Sequence, residues 1–407
     1  MTPPMLPPTL RRVLRGDSCA GCGLCAGLDP AIGLQRDAKG WFRPRAIGTP
    51  APATDALLAD CCPGARLAPW TGVAPAIDPL WGPYLRVATA HATDDEVRHT
   101  GSSGGVLSAL AIHLLATGAV DRVLHVAMDP EHPLLSAIAR SAGRADVLRA
   151  AGSRYAPAAP LADLAAELAA PGRVLFIGKP CDAGALRQLA AADRRVAERF
   201  PFIFSFFCAG TPSQNGTDRL VERLGMTPAD VANFRYRGDG WPGYATATDA
   251  HGASRRLSYA ESWGGILSRE VQFRCKICAD GVGGAADIAA ADAWYGGESG
   301  YPDFDEADGR SLVMARTPAG EWLLAEAEAA GVVATAPLDP AEIIRMQPHQ
   351  ARRKRLVGAR LAAMALTANP RPRVDGLEVS AAARQIGWTA RLKSMAGTVR
   401  RILSGRR

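Results

Sequence analysis

Eight of the nine cysteines in this chain fall into two groups of four, and grouped thiolates are ligands for soft metals. The first group, here called the N-terminal cysteine set, consists of Cys19, Cys22, Cys25 and Cys62. A tight loop with cysteines at two-residue intervals can direct three sulfurs at three irons, and a distant cysteine directly before Pro63 can bind the fourth. The spacing therefore predicts a 4Fe–4S cluster.

Two other uses of these cysteines fit less well. A structural zinc site would normally show paired C-x-x-C units rather than three evenly spaced cysteines and a distant fourth. A disulfide framework is typical of short secreted chains, whereas this chain has 407 residues and Met1–Leu6 lack an apolar signal segment. We expect a cytoplasmic protein, because a reducing compartment keeps thiolates available for metal.

The second group, here called the sheet-edge cysteine set, is spread along the chain and consists of Cys181, Cys208, Cys275 and Cys278. Cys181 follows a predicted buried strand at Arg173–Gly178, and Cys208 follows another at Phe202–Phe207. A helical crossover joins these strands, so we expect them side by side, about 4.8 Å apart, with both carboxyl ends at one edge. The loop at 274–278 can then supply the remaining two sulfurs. Taken alone, Cys181 and Cys208 would suit ordinary buried thiols equally well.

The elements that must position these cysteines alternate between strand and helix from about Tyr84 onward. Further strands are predicted at 85–90, 122–128 and 311–316, and helices at 106–117, 161–169, 182–191 and after Thr317. A hairpin is predicted at Tyr244–Tyr259. This alternation predicts an α/β fold with a mainly parallel or mixed sheet and helices packed against it.

We expect three regions along the chain. Residues 1–70 hold the N-terminal cysteine set among Gly, Pro and Asp with little periodicity, which predicts a small iron–sulfur module. Residues 84–340 carry the alternating pattern and the sheet-edge cysteine set. Residues 341–407 form a basic helical tail, and Pro69–Pro83 has the composition of a linker.

A glycine–serine loop, Gly101–Gly105, stands directly before a predicted apolar helix and has the composition of a phosphate cradle. Glycines allow close backbone approach, hydroxyls hydrogen-bond, and the start of a helix favours an anion. The residues concerned are Ser102, Ser103, Gly104 and Gly105. The loop would equally suit an ordinary capped turn, and it lacks the G-x-G-x-x-G of a dinucleotide fold.

Two further segments could complete such a site. Arg154 and Tyr155 could add a cation and an aromatic ring. Asp287 and Asp292 place two carboxylates beside Trp294, an arrangement that suits either a cofactor contact or a cap at the end of a sheet.

The positive charge of the chain is concentrated at one end. The net charge is +7, but residues 351–407 contain 14 Lys or Arg against two acids and carry +12, which leaves −5 for the rest. This distribution argues against a nucleic-acid enzyme and predicts local contact with an acidic protein or an anionic lipid surface. Gly387–Leu403 is predicted as a basic amphipathic helix that either docks on such a surface or packs on its own domain. Its apolar face would consist of Trp388, Leu392, Met395, Val399 and Leu403.

Taken together, these segments resemble the coenzyme F420 hydrogenase/dehydrogenase beta-subunit family, which includes 7-hydroxymethyl chlorophyll a reductases and divinyl chlorophyllide vinyl reductases. The matching segments occur in the family's order over roughly residues 15 to 320. They are CAGCGLC at 19–25, Cys62-Pro63, HTGSSGG at 99–105, GSRY at 152–155, GKPCD at 178–182, FFCAGTPS at 206–213, RCKIC at 274–278 and ADIAAADAW at 286–294.

The resemblance implies an FAD-containing iron–sulfur oxidoreductase with two 4Fe–4S clusters, one held by each cysteine set. It implies that the glycine–serine loop borders the flavin, with Arg154 and Tyr155 nearby. Electrons would pass from a ferredoxin or partner redox subunit through the clusters to FAD and on to a small two-electron substrate such as the deazaflavin coenzyme F420.

Other functions remain open at this point. The chain could be a non-catalytic electron-transfer subunit of a hydrogenase or formate dehydrogenase complex, a chlorophyll-type reductase, or a zinc-bearing scaffold. We expect it to work as an oligomer without nucleic acid. The basic tail would allow peripheral contact with the inner membrane.

Overall fold

A computed structural model describes residues 4–72, 74, 76–294, 296 and 303–405 of the chain. The remaining positions of the three predicted regions, at 1–3, 295, 297–302 and 406–407, lie outside the described residues, as do 73 and 75. The strands, in chain order, are β1 (Ile32–Arg36), β2 (Phe42–Ala46), β3 (Arg66–Leu67), β4 (Ala76–Asp78), β5 (Gly82–Tyr84), β6 (Arg86–Ala92), β7 (Arg122–Met128), β8 (Ser136–Ser141), β9 (Val174–Gly178), β10 (Phe202–Phe206), β11 (Val231–Arg235), β12 (Tyr244–Asp249), β13 (Ser254–Ser258), β14 (Ile288–Asp292), β15 (Ser311–Ala315), β16 (Val333–Pro337) and β17 (Arg373–Val374).

Helices connect and cover these strands. In chain order they are α1 (Pro8–Arg15), α2 (Leu24–Leu28), α3 (Pro52–Cys61), α4 (Asp95–Thr100), α5 (Val106–Ala116), α6 (Arg144–Arg149), α7 (Leu164–Ala169), α8 (Pro180–Ala192), α9 (Arg194–Arg199), α10 (Gln214–Arg223), α11 (Phe273–Lys276), α12 (Pro318–Ala329), α13 (Ile343–Met346), α14 (Pro348–Leu366), α15 (Val379–Arg384) and α16 (Trp388–Leu403). A π-helical segment covers Ala260–Ile266, and short 3₁₀ turns occur at 228–230, 267–269 and 340–342.

The centre of the fold is an eight-stranded mixed sheet with the order β16-β6-β15-β14-β10-β9-β7-β8. Its four central strands, β14, β10, β9 and β7, are parallel, and antiparallel strands flank them on both sides. The predicted α/β class with a mixed sheet is therefore confirmed. The apolar run of β9 is buried on both faces, as expected for a central parallel strand.

Two apolar cores lie on opposite faces of this sheet. Leu175 and Phe204 pack on one face against α5 and α12, whereas their neighbours Phe176 and Ile203 pack on the other face against α8. This division follows from the two-residue period of strand side chains. The predicted strands at 85–90, 122–128 and 173–178 and the helix at 106–117 are confirmed within one or two residues.

The predicted hairpin at Tyr244–Tyr259 is confirmed as β12 and β13, but it belongs to a separate three-stranded antiparallel sheet with β11. Phe234 and Tyr236 of this small sheet are buried, and they pack near Tyr155. This second sheet is positioned beside the carboxyl edge of the large one.

The N-terminal residues are more regular than their composition suggested. Helices α1 and α3 and the hairpin of β1 and β2 enclose a small core of Leu10, Ile32 and Leu58. The expected linker at Pro69–Pro83 is wrong, because Leu80 and Trp81 are buried there and β4 and β5 form a hairpin. The hydrophobic periodicity of this region is weak because its strands and helices are short, at most 10 residues each.

The C-terminal region is helical as predicted, but it is not an independent tail. Helix α14 packs Val357 and Met364 against Phe273 and Ile277, so it supports the loop of the sheet-edge cysteine set. Strand β17 pairs in parallel with β3 of the N-terminal region. Among the described helices, none is long and apolar enough to cross a membrane.

Helix α16 coincides with the predicted amphipathic helix, but its buried face is not the predicted one. Thr398 and Ile402 are buried against the domain, whereas Trp388, Leu392 and Leu403 keep 65%, 48% and 76% of their surface exposed. The expected apolar face is therefore mostly turned to solvent. The helix packs on α14, as the second alternative predicts, and docking on an acidic or anionic surface stays a prediction.

Candidate functional site

Chemistry-bearing residues follow each of three neighbouring parallel strands at the carboxyl edge of the large sheet. Cys181 lies in the first turn of α8 after β9, Cys208 follows β10, and Asp292 ends β14. The backbone N–H of Cys208 donates to the carbonyl of Gly281 at 2.8 Å, which fixes the chain after β10. This edge is where open α/β sheets build their sites.

The loop of Cys275 and Cys278 approaches the same edge. The backbone N–H of Thr211 donates to Cys275 Sγ at 3.4 Å, and the Cys278 thiol donates to the carbonyl of Asp280 at 3.0 Å. Burial, and then the charges of Cys275 and Cys278, raise the pKa of Cys208 to about 12, against the opposing charges of Arg353 and Lys179. The charge of Cys208 in turn raises the pKa of Cys181. The four residues of the sheet-edge set therefore lie near one another.

The N-terminal cysteine set converges in the same way. Gly21 and Gly23 have φ of 71° and 85°, so the loop turns where residues with a Cβ would be strained. Burial raises the pKa of Cys22 well above its usual value, and nearby Cys62 and Cys25 raise it further. Burial also raises the pKa of Cys62, to about 11, with Cys19 adding to the shift.

The remaining cysteine, Cys61, packs in the same apolar core as Cys22 of the N-terminal set. It is fully buried at the end of α3 and packs in the apolar core that also contains Leu186 and Ile203. Burial, followed by the charge of Asp60, raises its pKa to about 11. These surroundings are those of a structural thiol.

The donor atoms of both sets suit iron–sulfur clusters. All nine cysteines are free thiols, so none of the eight candidate ligands is used in a disulfide. Among the described residues, no three Cys, His, Asp or Glu side chains are arranged around a single metal ion. A four-iron cluster presents a separate iron to each cysteine, so its ligand sulfurs lie farther apart than those around one zinc ion.

Hydrogen bonds join the two sets across the N-terminal region. Trp41 Nε1 donates to the carbonyl of Pro212, four residues beyond Cys208, at 3.0 Å. Gln272 Nε2 donates to the carbonyl of Ala20 at 3.5 Å, and Arg274 Nη2 donates to the carbonyl of Pro63 at 3.0 Å. The N-terminal cysteine set is therefore held against the loop that carries the sheet-edge set.

A cleft of about 300 Å³ opens at the carboxyl edge beside the sheet-edge cysteine set. Cys208, Lys179 and Asp182 line one part of it, and the glycine–serine loop lines another. Lys179 Nζ lies 2.7 Å from Asp182 Oδ2 in a buried ion pair. The cleft and the sheet-edge set thus share a wall, which the GKPCD motif supplies.

The glycine–serine loop has divided roles. Ser102 lines the cleft, and its buried hydroxyl has no hydrogen-bond partner within the described chain. Ser103 donates to the carbonyl of Arg310 at 2.8 Å, so its hydroxyl is already used within the protein. Gly105 has φ of 71° and caps α5. An orphaned hydroxyl at the start of an apolar helix suits an anionic ligand group such as a phosphate.

Gly104 does not line the cleft, unlike its neighbours in the loop. A Cβ at this position would lie 2.7 Å from the carbonyl oxygen of Ala90 and 2.8 Å from the backbone nitrogen of Ser311. Its backbone N–H donates to Ser311 Oγ at 3.0 Å. Gly104 is therefore required for the packing of the loop onto β6 and β15.

Arg154 and Tyr155 line the cleft, but the guanidinium of the arginine is largely used in hydrogen bonds within the protein. Its guanidinium donates to three backbone carbonyls, those of Pro133, Leu135 and Phe234. Its Nε is buried without a partner among the described residues. Arg154 is thus better suited to fixing the wall than to holding a phosphate, and the ring of Tyr155 lies 4.8 Å from that of Trp263.

Asp287 and Asp292, which the sequence left undecided, have different roles. Asp287 accepts from the backbone N–H of Ile203 at 2.7 Å and from Thr317 Oγ1 at 2.6 Å, so it ties strands and helix together. Asp292 lines the cleft and accepts two hydrogen bonds from Arg237, at 2.7 and 2.8 Å.

Arg237 is the main site residue that sequence reasoning missed. It is buried, and its guanidinium lies 4.8 Å from the ring centre of Tyr259 and 5.0 Å from that of Trp294. Burial opposes its charge, but Asp292 raises its pKa above the usual value. Its position after the short strand β11 carries no motif, so only the fold brings it to Asp292.

Two family models match this chain, and several curated proteins are similar to it. The model described as coenzyme F420 hydrogenase/dehydrogenase, beta subunit N-term, matches residues 87–165, and the model of its C terminus matches residues 172–341. The chain is 28% identical over 267 residues to the coenzyme F420 hydrogenase subunit beta of Methanococcus voltae, covering 64% of this chain and 86% of that protein. The subunit of the same name from Methanosarcina barkeri is 25% identical over 278 residues, covering 64% and 85%.

A similar fold occurs in a solved structure of the F420-reducing NiFe hydrogenase complex from Methanosarcina barkeri. The TM-score is 0.57 at 22% identity, covering 73% of this chain and 98% of that chain. The sheet-edge cysteine set lies within the residues matched by the C-terminal family model, whereas the N-terminal cysteine set lies outside both family models.

Proposed function

This chain belongs to the coenzyme F420 hydrogenase/dehydrogenase beta-subunit family, and on that basis we propose that it is an FAD-dependent iron–sulfur oxidoreductase. It relays electrons from a ferredoxin-like donor through two 4Fe–4S clusters to a flavin and on to a two-electron substrate such as coenzyme F420. One observation carries the proposal: Cys208 and Lys179 border the cleft while Cys208 also belongs to the sheet-edge set. A cluster on that set and a flavin in that cleft would share a wall.

The residues divide the work in the following way. Each cysteine set holds one 4Fe–4S cluster, and residues 84–340 form the flavin domain. Bound flavin supplies the chemistry that side chains lack, since it exchanges both single electrons and a hydride. Ser102 offers its orphaned hydroxyl and the start of α5 its backbone N–H groups to an anionic part of the cofactor.

The side chains opposite the glycine–serine loop keep the cleft shaped and dry. The ion pair of Arg237 and Asp292 fixes the guanidinium between Tyr259 and Trp294. Trp241 Nε1 also donates to Asp292 at 2.8 Å and stacks on Trp294 at 4.7 Å. A rigid aromatic wall of this kind suits a planar heteroaromatic substrate and excludes water from it.

The electron donor would dock on a basic face formed by α11, α14 and α16. This basic face consists of Lys276, Arg352, Arg360 and Arg401. Arg360 Nη1 donates to the carbonyl of Lys276 at 2.6 Å, next to Cys275. Burial, and then the charges of Arg353, Arg401 and Arg352, lower the pKa of Arg360 to about 10.

An acidic electron-donor protein is the partner that this face fits. It would relieve the mutual repulsion of the cations and approach the loop of the sheet-edge cysteine set at the same time. The exposed apolar side chains of α16 border the same region and would add a short-lived apolar contact. The anionic membrane surface is the competing partner, and it is an outcome of the docking test below.

A second candidate is an electron-transfer subunit that acts only within a larger complex. The relatives are named as subunits of coenzyme F420 hydrogenase, and this chain covers 86% of the length of one of them. Such a subunit would hold the same cofactors but would need catalytic partner subunits for turnover. The N-terminal cysteine set, which lies outside the matched residues, favours a chain that receives electrons by itself.

The proposal is tested with protein purified anaerobically with its cofactors. Reduced ferredoxin is supplied, and coenzyme F420 or chlorophyllide substrates are offered in separate assays. The readout is loss of F420 absorbance in the first assay and the change in chlorophyllide absorbance in the second. We expect F420 reduction by the isolated chain and none with a Cys208→Ser variant. Turnover only after addition of hydrogenase subunits would favour the second candidate, and reduction of chlorophyllide alone would replace the substrate class.

A further inference from the structure

A single buried arginine, Arg274, lies between the two cysteine sets. It is 2% exposed, it directly precedes Cys275, and its Nη2 donates to the carbonyl of Pro63 at 3.0 Å. Pro63 directly follows Cys62. The backbone of Arg274 therefore belongs to the loop of the sheet-edge set, while its guanidinium is hydrogen-bonded beside the N-terminal set. Arg274 is also close enough to Cys19 and Cys62 on one side and to Cys181 on the other to affect each thiol.

The surroundings of Arg274 differ from those of the other buried arginines. Arg237 pairs with Asp292, and Arg316 donates to the carbonyls of Trp81, Pro83 and Val282. Arg274 has no carboxylate partner within the described residues, and its Nε has no hydrogen-bond partner there. A buried cation without a carboxylate partner is strongly destabilising unless other anions lie beside it, so this position suits anionic clusters on both sides.

We infer that Arg274 is a positioning residue shared by the two clusters, whose fixed positive charge raises the reduction potential of both. The inference rests on the proposed function, because it assumes a 4Fe–4S cluster on each cysteine set. A cluster with four thiolates is anionic and gains a further negative charge on reduction. A fixed cation beside it therefore stabilises the reduced form more than the oxidised form.

A shared cation would also make reduction of both clusters in the same molecule easier. An electron on one cluster makes reduction of the other harder, since both lie in a buried region of low dielectric. A fixed cation beside both clusters raises each potential and so offsets part of this cost. Two single electrons could then be taken up in succession at less negative potentials.

The test is a redox titration of the two clusters followed by electron paramagnetic resonance. Arg274→Gln removes the charge and keeps a planar polar side chain, and we expect both midpoint potentials to shift to more negative values. Arg274→Lys keeps the charge and should shift both potentials less. These measurements do not depend on turnover. If Arg274 had a merely structural role, the potentials of any retained clusters would be unchanged.

Two matched controls remove a cation near only one set. Arg43 lies near Cys19, and Arg353 donates to the carbonyl of Cys208. Arg43→Gln should shift the potential of one cluster and Arg353→Gln that of the other, whereas Arg274→Gln shifts both. A shift of only one potential in Arg274→Gln, or of neither, would overturn the inference.

A measurement on the unaltered protein covers the case in which Arg274→Gln fails to retain its clusters. If the two clusters are separated only by the side chain of Arg274, the fully reduced protein should show spectra split or broadened by spin coupling between them. Two independent, unbroadened signals would overturn the inference. Failure of the proposed function itself would be seen separately, as protein that binds no iron or no flavin.

Discussion

The two cysteine sets each bring four cysteines together, but they do so in opposite ways. The N-terminal set is contained within residues 19–62, is folded by a glycine-rich loop and one helix, and lies outside the matched family models. The sheet-edge set draws its members from the segments after β9 and β10 and from α11 and the loop after it, all within the matched residues. The first set is local and modular, whereas the second is inseparable from the sheet and from the cleft. Damage to the second should therefore reach the cleft, and damage to the first should not.

The largest effect is expected when one member of each set is replaced. Cys208→Ser should lower bound iron by about half and abolish electron transfer from ferredoxin to flavin, because Cys208 also borders the cleft. Cys22→Ser should likewise halve the iron but leave flavin content largely unchanged. For both variants we would measure bound iron, bound flavin and the rate at which reduced ferredoxin reduces the flavin.

The comparison between the sets fails if the two variants behave alike. Retention of all the iron in Cys22→Ser would exclude Cys22 as a ligand. Equal loss of flavin from both variants would show that the N-terminal set is as closely tied to the cleft as the sheet-edge set.

A second prediction separates two adjacent cysteines at the border of the N-terminal set. Cys62→Ser should remove one cluster signal from the reduced protein. Cys61→Ser should keep both signals and lower the free energy of unfolding by about 1–3 kcal/mol, because it buries a hydroxyl in an apolar core. Paramagnetic resonance and denaturant unfolding test the pair, and a lost signal in Cys61→Ser with an intact one in Cys62→Ser would reverse the assignment.

The sequence allowed the two sets to be grouped for different reasons. Cys19, Cys22 and Cys25 are related by spacing alone, so no fold was needed. Cys181 and Cys208 could be related only because an apolar run before each one indicated neighbouring parallel strands. The hydrophobic run is the physical link between that sequence pattern and the edge of the sheet.

Other parts of the site could not be predicted because their partners are distant in sequence. Arg237 finds Asp292 and two aromatic rings only after the small sheet has packed beside the large one. The role of Gly104 depends on contact with β6 and β15, which the composition of the loop does not reveal. The buried face of α16 was misplaced because α14, and not the apolar period of the helix, decides which residues are covered.

A third prediction concerns two adjacent serines of the glycine–serine loop. Ser102→Ala should leave the melting temperature almost unchanged, because the hydroxyl has no partner within the described protein, but should weaken flavin retention about tenfold, or about 1.4 kcal/mol. Ser103→Ala should destabilise the fold by about 1 kcal/mol through loss of the bond to Arg310. Thermal unfolding and flavin dissociation distinguish them, and a lower melting temperature in Ser102→Ala with unchanged flavin affinity would contradict the assignment.

The smallest effect is expected at the basic face. Arg352→Glu combined with Arg401→Glu should raise the KM for an acidic ferredoxin several-fold at low salt, and the difference should shrink as salt increases. Arg194→Glu combined with Arg195→Glu makes the same charge change on α9 and serves as the control. Unchanged KM together with loss of binding to anionic liposomes would assign this face to the membrane instead.

The most direct test of the account is a count of cofactors in the anaerobically purified, unaltered protein. Two cysteine sets and one cleft predict about eight irons, about eight acid-labile sulfides and one FAD per chain. Stoichiometric zinc without sulfide would contradict the assignment of both sets. About four irons would leave only one of them as a cluster site, and protein that binds no flavin after reconstitution would contradict the role of the cleft.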